Sequence, residues 1–113
     1  MRIEIKSRYS QRILFTHNCK YNSIAITLAA AINAKTNLEC ADLRGAYLYS
    51  ADLHGANLYG ADFRNADLRS ANLSGANLHD ADLGDANLSN ANLYGADLGE
   101  NRSSLQRMAR NSS

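Results

Sequence analysis

The feature that most restricts this chain is a period of five. Leu38 begins a column of large apolar residues that continues through Leu43, Leu48, Leu53, Leu58, Phe63, Leu68, Leu73, Leu78, Leu83, Leu88, Leu93 and Leu98. Ala stands two residues before each of them from Ala41 to Ala96, with Thr36 in that place at the head. The residue between is Asp or Asn, except Tyr47. The pattern is written 13 times over residues 36–100. A helix advances about 100° per residue, so a step of five drifts by about 140° and scatters the column around the cylinder. A long strand has period two, and a five-residue repeat would reverse its faces at every repeat. Leucine-rich repeats run to about 20–29 residues and do not fit either. One geometry does. Ala and Leu point inward from a short extended piece, the residue between them points outward, and the last two residues turn a corner.

The units Ala-Asp-Leu-Arg-Gly (41–45), Ala-Asn-Leu-Tyr-Gly (56–60) and Ala-Asn-Leu-Ser-Gly (71–75) resemble those of the pentapeptide-repeat family. The resemblance covers 65 of the 113 residues. It implies an all-β solenoid, a right-handed quadrilateral β-helix with four pentapeptides per coil and about 3 coils here. Thr36, Tyr47 and Phe63 are the departures from its pattern.

Before the repeats, Arg2–Lys6 alternates polar and apolar residues, Ser7–Gln11 is polar, and Ile13-Leu14-Phe15 returns, with Ile13 and Phe15 expected on one face. Residues 1–17 therefore predict a β-hairpin. Asn22 or Ser23 suits a helix N-cap, and Ile24, Leu28, Ala31 and Ile32 predict a helix from Ile24 to about Lys35. A solenoid must cover its terminal cross-section and strand edges. Residues 1–35 are expected to do so as a hairpin-and-helix cap; some relatives of the resembled family open in the same way. Residues 36–100 form the repeat unit and 101–113 a polar tail. Leu105 and Met108 in the tail, with Leu98, are expected either to cover the lower end or to form a homodimer interface there, which the family resemblance permits.

Charge is divided along the chain. Residues 1–35 carry six Lys/Arg against one Glu, 36–100 three Arg against ten Asp/Glu, and 101–113 three Arg, for a net +1. Stacked coils put residues 20 apart next to one another at about 4.8 Å. Asn37, Asn57 and Asn77 would then form an amide ladder. Asp42, Asp62 and Asp82 would form an acidic column whose neighbours repel by about 0.9 kcal/mol in water, with Arg44 and Arg64 relieving the first two. Asp80, Asp82, Asp85 and Glu100 are expected to gather near one corner with no arginine beside them. Tyr47, Tyr49, Tyr59 and Tyr94 face outward, and Gly55, Gly75 and Gly95 leave a bare edge.

No reactive constellation is apparent. His17, His54 and His79 lack metal-ligand spacing, Cys19 and Cys40 have no metal or redox spacing, and no Gly-rich phosphate loop is present. The acidic corner has hard oxygen donors of the kind Ca²⁺ or Mg²⁺ takes, but a solvated acidic face is the plainer reading. No cofactor, metal or catalytic residue is expected. The start of the chain lacks signal-peptide pattern, and Ile24–Ala34 is too short to span a bilayer. A cytoplasmic protein without membrane attachment is the expectation.

Three functions compete. The first is a non-enzymatic interaction or structural module with an unidentified protein partner, contacted through Asp80, Asp82, Asp85 and Glu100 or through Tyr49, Tyr59 and Tyr94. The second is mimicry of DNA toward an enzyme such as gyrase, as in some proteins of the resembled family. Seven net negatives over a rod of about 16 Å approach the charge density of a duplex, but the rod equals only about 5 base pairs. The third is self-association or nucleic-acid contact through the basic ends; direct nucleic-acid binding is not expected.

Overall fold

The computed structural model describes residues 1–18, 20 and 23–99. The chain opens with strand β1 (Arg2–Lys6) and strand β2 (Ile13–Asn18), paired antiparallel with Ile5 opposite Phe15 and Lys6 opposite Ile13. Leu14 is the extra residue of a bulge, and a bulge breaks the strict alternation of faces. Ile13 and Phe15 consequently do not share an environment: Phe15 is half-buried and Ile13 exposed. Ile5 is fully buried and joins the hairpin to the main core.

Helix α1 (Ile24–Asn33) starts where Ser23 Oγ accepts the Ile26 N–H at 3.1 Å, so Ser23 is the N-cap. It stops earlier than the apolar spacing suggests. Lys35 takes φ +61°, the Lys35 N–H donates to Ile32 O and the Thr36 N–H to Ala31 O. That pair of bonds closes a helix end, with lysine where glycine is usual. Thr27, Leu28 and Ala31 form the buried stripe, and Leu28 and Ala31 join the same core as the repeats.

The hairpin runs straight into the repeats. Ser7 bridges Ala41 antiparallel, the Arg8 N–H donates to Cys40 O and the Asp42 N–H to Lys6 O, both at 2.7 Å. From there every bridge is parallel and joins residues 20 apart, from Asp42 with Asp62 to Asn77 with Asp97. Four pentapeptides therefore complete each coil. Each bridge carries a pair of bonds; the Leu53 N–H donates to Asn72 O and the Asn72 N–H to Ala51 O. At each corner the Ala N–H donates to the preceding Leu carbonyl, as Ala56 does to Leu53 at 3.1 Å. Such a turn needs a positive φ at its third residue. Gly45, Gly55, Gly60, Gly75 and Gly95 meet the need without strain, while Cys40, Ser50, Asn65, Ser70, Asp80, Asp85 and Asn90 adopt φ of 57–62° as side-chain-bearing residues.

The interior is apolar throughout. The column from Leu38 to Leu88 is buried, with Phe63 filling its place completely, and the alanines from Ala41 to Ala86 line it. Leu98 is also in this core, 5% exposed. Leu93, Ala91 and Ala96 are half-buried.

Candidate interaction surface

The outward residue of each repeat is occupied with its own backbone. In twelve repeats the Asp or Asn Oδ1 accepts the N–H two residues on, at 3.0–3.3 Å, from Asn37 with Glu39 to Asp97 with Gly99. Both side chains present the same acceptor, so the repeat uses them interchangeably. The amide ladder expected of Asn37, Asn57 and Asn77 is present only at its first step. Asn77 holds the His79 N–H, and Asn57 Nδ2 reaches Asn37 only at 3.5 Å and Glu39 at 3.3 Å. Tyr47 has no such acceptor.

The acidic column is neutralised more fully than the sequence suggests. Arg44 forks onto Asp42, Arg64 onto Asp62 and Arg69 onto Asp67, all at 2.7–2.9 Å. These side-chain bonds are the leading reason that the Asp42, Asp62 and Asp67 carboxyls lie below the ordinary aspartate range. Asp62 is the one buried carboxylate among the described residues, 1% exposed. It is also reached by Arg8 at 3.4 Å and Arg44 at 3.8 Å. Arg8 comes from the hairpin connection, donates to Gly60 O at 3.2 Å and stands 3.7 Å from Asp82. With its own N–H on Cys40 O, it touches three successive coils. Its part was not legible in the sequence, because its side-chain partners in the repeats lie more than 50 residues away.

The expected corner of Asp80, Asp82, Asp85 and Glu100 is corrected in two respects. Asp82 does have arginines beside it, Arg64 at 3.6 Å and Arg8 at 3.7 Å. Asp80 and Asp85 occupy the corners before and after the side that carries Asp82, so they do not share one corner. Asp80 Oδ2 accepts the Tyr59 hydroxyl at 3.0 Å, which raises the tyrosine pKa, and Asp80 Oδ1 lies 3.7 Å from His79. Asp97 lies 3.7 Å from the other nitrogen of His79. Glu100, Leu105 and Met108 lie outside the described residues. His54 and His79 stand apart; His54 Nδ1 lies 2.9 Å from Ser74 O and 2.8 Å from Ser74 Oγ. Among the described residues no group of three or more His, Cys, Asp or Glu is placed to hold a metal ion, and no helix is long and apolar enough to cross a membrane.

The exposed tyrosines form two different surfaces. Tyr59 stacks on His79 with centroids 5.7 Å apart, and a Cβ on Gly99 would come within 2.7 Å of His79 Nδ1. Tyr47 and Tyr49 lie parallel with centroids 6.5 Å apart, and the Arg69 guanidinium sits 5.1 Å from the Tyr49 centroid. Tyr94 is 85% exposed.

The family model for pentapeptide repeats matches residues 34–65 and 66–100, in 8 copies. Among solved structures, the chain is similar to the pentapeptide-repeat protein Rfr23 from the cyanobacterium Cyanothece 51142, with 38% identity over 53% of this chain and 37% of that one, TM-score 0.39. It is also similar to a pentapeptide-repeat protein of the Arabidopsis thaliana thylakoid lumen, with 33% identity over 53% of this chain and 52% of that one, TM-score 0.38. HetL, a pentapeptide-repeat protein involved in heterocyst differentiation regulation in Nostoc sp. strain PCC 7120, is 34% identical over 56% of this chain and 36% of its own, TM-score 0.28. The chain thus spans between about a third and about half of the length of these relatives. No curated protein matches it.

Proposed function

Because this chain belongs to the pentapeptide-repeat family, we propose that it is a non-enzymatic binding module: a right-handed quadrilateral β-helix of about 3 coils, covered at its start by the hairpin and helix of residues 1–35, that offers its outer sides to a protein partner. Pentapeptide-repeat proteins are in general structural or interaction modules. The observation that carries the reading is how the outer polar groups are employed. Twelve Asp/Asn acceptors hold their own turns and three arginines hold their own aspartates, so the sides are rigid. Tyr49, Tyr59 and Tyr94 remain exposed on them, as large low-entropy groups of the kind that anchor interfaces.

Mimicry of DNA is less well supported. Asp42, Asp62, Asp67 and Asp82 each lie within 4 Å of an arginine, which weakens the field such a mimic needs. Pairing of two copies through the end of the chain would draw on Leu105 and Met108, which lie outside the described residues, while Leu98 is already in the core.

The test is photo-crosslinking inside cells, with a benzophenone amino acid placed singly at positions 49, 59 and 94 and at a buried control, Leu73. Reproducible crosslinks to one protein from a subset of the outer positions are expected. Absence of any crosslinked protein at all three outer positions overturns the reading.

A further inference from the structure

Tyr47 breaks the rule the other outward residues follow. It carries no acceptor for the N–H two residues on, and it gives up that bond to expose a ring, 64% open. The ring lies parallel to that of Tyr49, within 13°. Their surroundings differ in one respect. Tyr49 is already served by a cation of this chain, Arg69, which Asp67 fixes through two bonds of 2.7 and 2.8 Å. Tyr9 is likewise served by Arg8, 5.1 Å from its centroid. Arg69 also acts electrostatically on Tyr47, but no cation stacks over the Tyr47 ring among the described residues. On the next side of the same coil, Asp52 accepts only the His54 N–H, and no cation pairs with it among the described residues. Residues 36–99 as a whole hold nine Asp/Glu against three Arg, a net −6.

An open tyrosine face, an unpaired carboxylate on the adjoining side and a negative field together suit a cation of another molecule. A guanidinium suits them better than an ammonium, since its planar group can stack on a ring or fork onto a carboxylate. We infer that the Tyr47 side of the first coil, with Tyr49 and Asp52, docks an arginine-bearing segment of a partner protein. This rests on the binding-module reading and adds the side and the chemistry of what it binds.

The probe is the peptide acetyl-Gly-Arg-Gly-Arg-Gly-amide, followed by amide chemical shifts of the full chain. A matched peptide with citrulline for arginine keeps the shape and removes the charge. Tyr47→Asn gives that repeat the residue its neighbours use, Tyr47→Phe keeps the ring, and Tyr94→Asn removes an exposed tyrosine elsewhere. The expected result is shifts at residues 47, 49 and 52 with the arginine peptide alone, about five-fold weaker binding for Tyr47→Asn, and near-native binding for Tyr47→Phe and Tyr94→Asn. Equal binding by Tyr47→Asn, equal binding of the citrulline peptide, shifts centred on Asp80, Asp85 or Tyr94, or no binding of either peptide each overturns the inference. None of these touches the module reading, which fails only if the crosslinking described above finds no partner.

Discussion

Asp62 shows how much one residue of this repeat is asked to do. Its Oδ1 accepts the Arg64 N–H, its two oxygens bind the Arg64 guanidinium, Arg8 approaches from the hairpin and Arg44 from the preceding coil. Asp62→Asn keeps the turn acceptor and loses the charge, while Asp62→Ala loses both and leaves Arg8 with only Asp82, at 3.7 Å, as an acidic partner. We expect Asp62→Ala to cost about 2–3 kcal/mol and Asp62→Asn about half of that in chemical denaturation. The pH dependence has a definite sign. The folded carboxyl lies below its ordinary value, chiefly through Arg64, so its contribution is complete above an unfolded value of about 3.9 and is lost as pH falls through the folded value. The stability of the native chain is therefore expected to drop more steeply below about pH 4 than that of Asp62→Asn, and parallel curves would count against the pairing. Tyr47 gives the opposite expectation. Tyr47→Asn restores the turn bond present in twelve other repeats and should raise stability by about 0.5–1 kcal/mol, read as a higher urea midpoint with an unchanged slope. The sequence displayed the Asp/Asn choice as an outward residue, but not its reason, because a periodicity records direction and not the hydrogen bond made there.

The hairpin and α1 were legible as elements, and their details were decided by contacts the local pattern does not contain. Ser23 capping and the Leu28–Ala31 stripe follow from the sequence. The end of α1 does not, since Lys35 enters the left-handed region to deliver the chain into Thr36 and the first coil. The bulge at Leu14 likewise separates Ile13 from Phe15, which strict alternation would have kept together. The largest omission was Arg8, whose only sequence signal was a basic residue in a polar turn. Because Arg8 joins the hairpin to Cys40, Gly60, Asp62 and Asp82, Arg8→Met should loosen the hairpin before it affects the coils. Hydrogen exchange at the Asp42 amide, which donates to Lys6 O, is expected to accelerate by about ten-fold, with little change at Leu73. Equal acceleration at both amides would show that the hairpin and the coils open together.

Across the molecule, one rule accounts for the order seen from Asp42 to Asp97: every fourth corner brings the chain back over itself. The period of five made this legible with little else, because it admits an inward pair and a corner and neither a helix nor a flat strand. What it left unread was how charge is distributed around the rod. That depends on which residues meet 20 apart and on what the hairpin brings from outside the repeats. The acidic surplus consequently lies at Glu39, Asp52, Asp80, Asp85 and Asp97, none of which pairs with a lysine or arginine among the described residues, while the Asp42–Asp62–Asp82 column is held by arginines from two parts of the chain. The most direct measurement is of scalar couplings across hydrogen bonds by NMR, between amide nitrogens and carbonyl carbons. Twenty residues per coil predicts couplings from Leu48 N to Asp67 C′, Leu53 N to Asn72 C′ and Leu58 N to Asn77 C′. Couplings from these three amides to carbonyls at any other offset, or none at these three pairs in the folded protein, would contradict the coil.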